Sequence, residues 1–332
     1  MLKRNILVTG GAGYVGAVLI PKLINAGHSV RVVDLFMYGE DVFNESNCDK
    51  TNLDIVKGDI RDLGLIKKSL EGIDTVIHLA CISNDPSFDL NPSLGKSINL
   101  SCFRPLVEAS IDAGVNRFVY ASSSSVYGVK DEPNVHEDMT LEPLTDYSRF
   151  KAECEKILLE YESENFTTTI IRPATVCGYS PRQRLDVIVN ILTNHAHHNK
   201  KIKVFGGEQK RPNIHIQDMT DLYVKLMVED KKKISGKTWN AGYENHTVNE
   251  LAESIHNIFG DSIEIQKTET DDNRSYHVSS EKISKDIGFK PTHSIEEAVK
   301  ELKKAFEAGK LPNAMEDPRY YNIKTMKSIN LV

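Results

Sequence analysis

Near its start the chain reads Lys3-Arg-Asn-Ile-Leu-Val-Thr-Gly-Gly-Ala-Gly-Tyr-Val-Gly16, and much of the architecture follows from this stretch. Ile6, Leu7 and Val8 form the short apolar run of a buried parallel strand. Glycines follow at 10, 13 and 16, and an apolar helical pattern runs from Val15 to Ile24. Strand, glycine turn and helix in that order are the setting of a dinucleotide-binding turn. Gly10 permits the tight turn, Gly13 lets the backbone approach a pyrophosphate, and Gly16 lets the helix pack close to the sheet. Phosphates then sit at the helix N-terminus, where free N–H groups and the dipole favour negative charge. Tyr14 and Val15, inside the turn, count with the cofactor-binding residues.

A second strand, Ser29 to Val33, ends in Asp34, eighteen residues past Gly16. A carboxylate at that spacing accepts from the adenosine ribose hydroxyls and repels a 2′-phosphate, so the expected cofactor is NAD rather than NADP. Further strands are expected at 53–57, 74–78, 116–121 and 167–171, and helices at 14–26, 63–70, 92–113 and 146–163. This alternation predicts an α/β fold, a Rossmann-type doubly wound parallel sheet with helices on both faces. Arg172-Pro173 opens a less regular half. The expected division is an NAD-binding unit at 1–175, with a returning segment near 213–242, and a smaller α/β substrate unit at 176–332.

Tyr147-Ser-Arg-Phe-Lys151 places a phenol and an ammonium four residues apart on one helix face. A lysine charge beside a phenol stabilises the phenolate and lowers a pKa normally about 10. Such a tyrosine can take a proton from a sugar hydroxyl.

With these residues in place, the chain resembles the extended short-chain dehydrogenase/reductase family of nucleotide-sugar epimerases and dehydratases. Gly58-Asp-Ile-Arg-Asp62 is similar to the family's adenine-side motif, which implies roles for Asp59 and Ile60. His78-Leu-Ala80 is similar to the loop lying along the cofactor, which implies the same for Leu79 and Ala80. Ser122-Ser-Ser-Ser-Val-Tyr-Gly128 resembles the segment carrying the catalytic hydroxyl. The resemblance gives that role to Ser123, with Ser124 the alternative in a run of serines, beside Tyr147 and Lys151. Lys151 is also implied to bond the nicotinamide ribose. Dehydratases of the family carry Asp-Glu at the positions of Ser124 and Ser125, and decarboxylases carry a glutamate in this segment. Neither is present, which disfavours both chemistries. Asn99 matches a position that supports the active site.

In the second half, Tyr179-Ser-Pro-Arg-Gln-Arg-Leu-Asp186 lies where the family's substrate loop begins, which makes Arg182 and Arg184 substrate-binding candidates. Arg211-Pro-Asn-Ile-His-Ile-Gln-Asp218 resembles the element whose arginine grips the substrate diphosphate, a task the guanidinium fork suits. Arg274, in Asp272-Asn-Arg-Ser-Tyr276, lies where some relatives hold the nucleotide. UDP-sugar epimerases place an arginine three residues before that aspartate, where this chain has Glu269, so the base is left open. The resemblance implies a 4-epimerase working through a 4-keto sugar. The alternatives are a nucleotide-sugar C4 oxidase or reductase, for example on a GDP-heptose in surface-polysaccharide synthesis, or a non-catalytic NAD sensor. It also implies a homodimer through helices 92–113 and 146–163.

A net charge of −6, with no basic run beyond Lys231–Lys233, argues against a nucleic-acid partner. No apolar stretch reaches the roughly 18–20 residues that span a bilayer, and the first strand begins almost at once, so no signal peptide, no membrane partner and a cytoplasmic location are expected. Five cysteines without a Cys-x-x-Cys pair read as free thiols. His195-Ala-His-His198 lacks a further ligand at metal-binding spacing and reads as a solvated helix end, so no metal is expected.

Overall fold

Described in the computed structural model are residues 3–44, 46–130, 132, 134–270, 275 and 277–331. The strands are β1 (Asn5–Thr9), β2 (Ser29–Asp34), β3 (Leu53–Lys57), β4 (Thr75–His78), β5 (Arg117–Ala121), β6 (Thr167–Pro173), β7 (Thr175–Cys177), β8 (Lys201–Phe205), β9 (Lys210–His215), β10 (Lys237–Ala241), β11 (Glu244–Thr247) and β12 (Glu264–Thr268). Seven of them form one parallel sheet in the order β10-β6-β5-β4-β1-β2-β3. Chain order reverses between β1 and β4, which opens a crevice at the C-terminal edge of the sheet.

Alternation along β1 sets the two faces. Ile6 and Val8 pack with Leu19, Ile20 and Leu23 of the helix Gly16–Asn25, and with Met219, Leu222 and Leu226 of the helix Ile216–Val228. Leu7 faces the other way, into a cluster with Phe103, Leu106 and Leu158 from the helices Phe103–Asp112 and Asp146–Glu160. Burying both faces accounts for the unbroken Ile-Leu-Val run. The expected helix 92–113 is interrupted: Pro92–Lys96 leads into a π-helical turn at Ser97–Ser101 before Phe103–Asp112 resumes. Within that turn the Asn99 side chain accepts from the Ile82 amide (2.8 Å) and donates to its carbonyl (2.9 Å).

The second half of the chain completes the first. β10 pairs with the outer edge of β6. Buried Arg4 donates from Nε to the Met227 carbonyl (2.6 Å), and buried Arg117 donates to the Leu226 and Glu229 carbonyls. The remaining strands form a three-stranded sheet, β11-β9-β7, and a parallel pair, β12-β8. Helices Ile188–Asn199, Val248–Phe259 and Ile295–Glu307 enclose a separate apolar cluster there. His195, His197 and His198 fall in the last turns of the first of these helices. All five cysteines are free thiols. No helix among the described residues is long and apolar enough to cross a membrane.

Candidate active site

The C-terminal ends of β1 to β6 converge on one cleft of about 370 Å³. Gly10, Gly13, Tyr14, Val15 and Gly16 line it. Gly10 adopts φ +74°, and a Cβ there would come within 2.6 Å of the Ala80 amide, so the turn and the β4 loop can meet only at glycine. A Cβ on Gly13 would meet only the Gly10 carbonyl, at 3.2 Å, leaving this backbone open towards the cleft. Gly16 differs from expectation: the tight contact is with Gly11 of the turn itself, whose oxygen a Cβ would approach to 2.2 Å.

Asp34 ends β2 with both carboxylate oxygens held, Oδ2 by the Ala12 amide (2.9 Å) and Oδ1 by the Phe36 amide (2.8 Å). Burial pushes its pKa up, against those backbone hydrogen bonds and the charge of Arg182. Asp59, Ile60, Leu79 and Ala80 complete this side of the cleft. Asp59 is clasped by its neighbour Arg61, which donates from Nε to both oxygens (3.0 Å each) and from Nη2 to Oδ2 (2.7 Å).

His78, at the end of β4, is buried beneath the cleft with Nδ1 2.6 Å from the Thr9 hydroxyl. Burial, reinforced by the Lys151 charge, pulls its pKa from 6.5 down to about 3. Between those values the unfolded chain binds a proton that the folded chain refuses, so stability is full above pH 6.5 and falls as pH drops towards 3. We expect the melting temperature to fall from pH 7 to pH 5, with His78 contributing up to about 2 kcal/mol of that loss. His78→Gln should flatten the slope; a slope identical to wild type would refute this assignment.

The serine segment and the Tyr147 helix form another part of the lining. Thr145 caps the helix Asp146–Glu160 through a reciprocal bond with Ser148, which fixes Tyr147 in the first turn. Ser123, Ser124 and Tyr147 all line the cleft. The Ser123 and Ser125 hydroxyls are 2.9 Å apart. Burial raises the Tyr147 pKa above that of a free phenol, as does the nearby Cys81, while a hydrogen bond with Ser123 opposes the rise. This departs from the lowered pKa expected of the Tyr-x-x-x-Lys pair. Lys151 is buried behind the lining; it donates to the Ala121 carbonyl (2.6 Å), with its ammonium 5.9 Å from the Tyr147 ring centre. Desolvation of the phenol is the largest influence on the Tyr147 pKa.

The 180s loop carries two arginines into the cleft, Arg182 buried and Arg184 half-buried. Arg184 pairs with Asp186 (2.5 Å) and donates to Ser83 Oγ (3.1 Å). Arg182 lies over the Tyr38 ring, 3.3 Å from its centre, and donates to Asn322 Oδ1 (2.8 Å). Arg211 lies on β9 and is not among the lining residues. Arg274 lies outside the described residues.

The contacts of Tyr14, and several further site residues, escaped sequence reading. Tyr14 ties the glycine turn to the second half: its hydroxyl donates to the Gly178 carbonyl (2.7 Å), and its carbonyl accepts from Ser180 (2.8 Å). Tyr38 and Asn322 meet Arg182 across most of the chain. Beneath the serine segment, Arg172 and Glu155 form a buried pair (2.7 Å). Ser122 donates to Glu155, and Arg172 donates to Tyr127 (2.7 Å), whose hydroxyl donates to Asn240 (2.7 Å). Only the alternation of polar residues with the strand ends could have hinted at that network.

A glycine turn and a helix-borne phenol sharing one cleft on a doubly wound sheet make this a Rossmann-type fold of short-chain dehydrogenase/reductase kind. The chain belongs to the NAD dependent epimerase/dehydratase family, whose model matches residues 6–242. It is 34% identical over 218 residues, 65% of its length, to the uncharacterized protein y4nG of Sinorhizobium fredii, and spans about half (51%) of that protein. It is 28% identical over 313 residues to a UDP-glucose 4-epimerase of Lactobacillus helveticus, covering 87% of this chain and 92% of that one. Its structure is similar to that of the UDP-glucuronic acid 4-epimerase of Bacillus cereus in complex with UDP-glucuronic acid and NAD. The TM-score there is 0.82 at 26% identity, over 92% of this chain and 99% of the other.

The cofactor is NAD, and the cleft fits it. It offers open backbone at Gly13, the strand-end carboxylate of Asp34, and buried guanidinium N–H groups without partners among the described residues.

Proposed function

We propose that this chain is an NAD-dependent nucleotide-sugar 4-epimerase working through a transient 4-keto sugar. The observation that supports this reading is that Ser123 and Tyr147 line one cleft with the dinucleotide turn, on a serine segment that offers hydroxyls where a dehydratase needs an acid and a base. When bound, NAD supplies the hydride acceptor for C4. Tyr147 takes the C4 hydroxyl proton and Ser123 donates to the oxygen as the ketone develops. The Tyr147 position favours this proton transfer, because the positive end of the helix dipole lies at its first turn. Lys151 holds the nicotinamide ribose and adds positive charge near the phenol. Arg184, from the 180s loop and in the cleft lining, takes the substrate diphosphate, and anchoring that remote group orients the sugar for both hydride steps. Exposed Ile111 and Leu159, on the helices Phe103–Asp112 and Asp146–Glu160, support pairing into a homodimer.

The test is to incubate purified protein, without added cofactor, against UDP- and GDP-sugars, following products by NMR and the NADH absorbance band. A C4 epimer formed over many turnovers without net NADH is expected. A stoichiometric rise in NADH with a released 4-keto sugar, and turnover only with an added oxidant, would make it a C4 oxidase instead.

A further inference from the structure

The two arginines of the 180s loop do different work. Arg184 has a carboxylate partner in Asp186 and is close enough to Tyr147 to act on its charge. Arg182 has no such partner. Its hydrogen bond is to the neutral amide oxygen of Asn322, and its plane stacks on Tyr38. Its Nε and Nη1 are buried with no partner among the described residues. Only 6% of the residue is exposed, so water does not make good that deficit. Burial pulls its pKa down, the signature of a charge lacking an adequate counter-charge. A guanidinium left this way is strongly unfavourable unless a ligand completes it.

Its surroundings say which ligand. Tyr38 lies just past the end of β2, and Asp34, the acid that receives the adenosine ribose, feels the Arg182 charge. Tyr147 feels Arg184 instead. Asn322 holds the guanidinium at that end: its Oδ1 accepts from both Arg182 and Tyr38 (2.8 Å each), its Nδ2 donates to Ser83 (2.9 Å), and its amide donates to Asp186 (2.8 Å). Every polar group of the Asn322 side chain is thereby used, and the arginine is fixed before any ligand arrives. Within NAD only the diphosphate is anionic, and guanidinium N–H groups on different edges can each donate a charge-assisted hydrogen bond to a phosphate oxygen.

We propose that Arg182 is a cofactor residue, binding the diphosphate of NAD from the substrate-side loop, with Tyr38 and Asn322 as its positioning residues. This revises the substrate role expected from the sequence. It rests on the family's cofactor and not on the 4-epimerase reading, so it can fail or stand independently of that reading.

The test is binding, with no turnover involved. NAD, ADP-ribose, adenosine and UDP are titrated calorimetrically into wild type and Arg182→Met, each freed of bound nucleotide, and NAD content is measured on the proteins as purified. Losing a charge-assisted pair should weaken NAD and ADP-ribose roughly 10- to 100-fold. Adenosine, which has no phosphate, and UDP, which reports the substrate side, should bind as to wild type. NAD binding at wild-type affinity, or UDP weakened while NAD is spared, would overturn the proposal. Arg182→Lys, which keeps the charge and loses the fork, should fall between the two. It carries the same test if the methionine variant does not fold.

Discussion

Tyr147→Phe protein should retain its fold and its NAD while turnover drops by roughly 10²–10⁴-fold, the usual contribution of a positioned acid–base group. The ring is kept, so the packing against Phe88 and Phe150 around this corner of the sheet is undisturbed. What is removed is one hydroxyl, on a half-buried residue that lines the cleft together with Ser123. Its absence should change stability by only about 1 kcal/mol, the net value of one hydrogen bond. Because burial raises the phenol pKa, wild-type turnover should also climb as pH rises above neutrality, and the residual rate of the variant should lose that dependence. Turnover numbers and pH profiles of the two proteins decide it. A phenylalanine variant as fast as wild type would remove Tyr147 from the chemistry.

The largest stability effect is expected from Glu155→Ala. Glu155 and Arg172 have side chains only 4% and 7% exposed, and the pair is joined by hydrogen bonds to Ser122 and Tyr127. Removing the carboxylate leaves a guanidinium buried without its counter-charge, at about 3–5 kcal/mol. For a chain of this size that corresponds to a fall in melting temperature on the order of 10 °C. Ser122 loses its acceptor in the same step, so the neighbouring Ser123 should be held less firmly and kcat should fall with stability. Scanning calorimetry provides the check: a melting curve superimposable on wild type would show that the pair is not needed to hold β6 to its helix.

What could be read from the chain alone was what local pattern encodes. The Ile-Leu-Val run, the glycine spacing and the strand-end Asp34 each report a short-range geometric demand, and the sheet was built as they required. The i, i+4 spacing of Tyr147 and Lys151 likewise put both on one helix face, but spacing carries no information about burial. The direction of the Tyr147 shift was therefore missed. The π-helical turn at Ser97–Ser101 is invisible in the sequence because no Gly or Pro interrupts the helical pattern there; it is the Asn99 bond to Ile82 that accompanies the change of pitch. Tyr38, Arg182 and Asn322 are brought together only by the tertiary fold, and no periodicity links them. Arg211 was chosen by likeness of a motif, and likeness did not bring it into the cleft lining.

Strand β10 and the carbonyls of Leu226, Met227 and Glu229 belong to the part of the chain made later on the ribosome, yet they finish the part made earlier. A nascent chain that has just emerged past β6 presents that strand as an open edge, ready to pair with any other chain. It also carries Arg4 and Arg117 towards burial before these carbonyl acceptors exist. The dinucleotide-binding half is consequently no portable module: cut after β6 and grafted elsewhere, it would lack its outermost strand and these carbonyl acceptors for two buried cations.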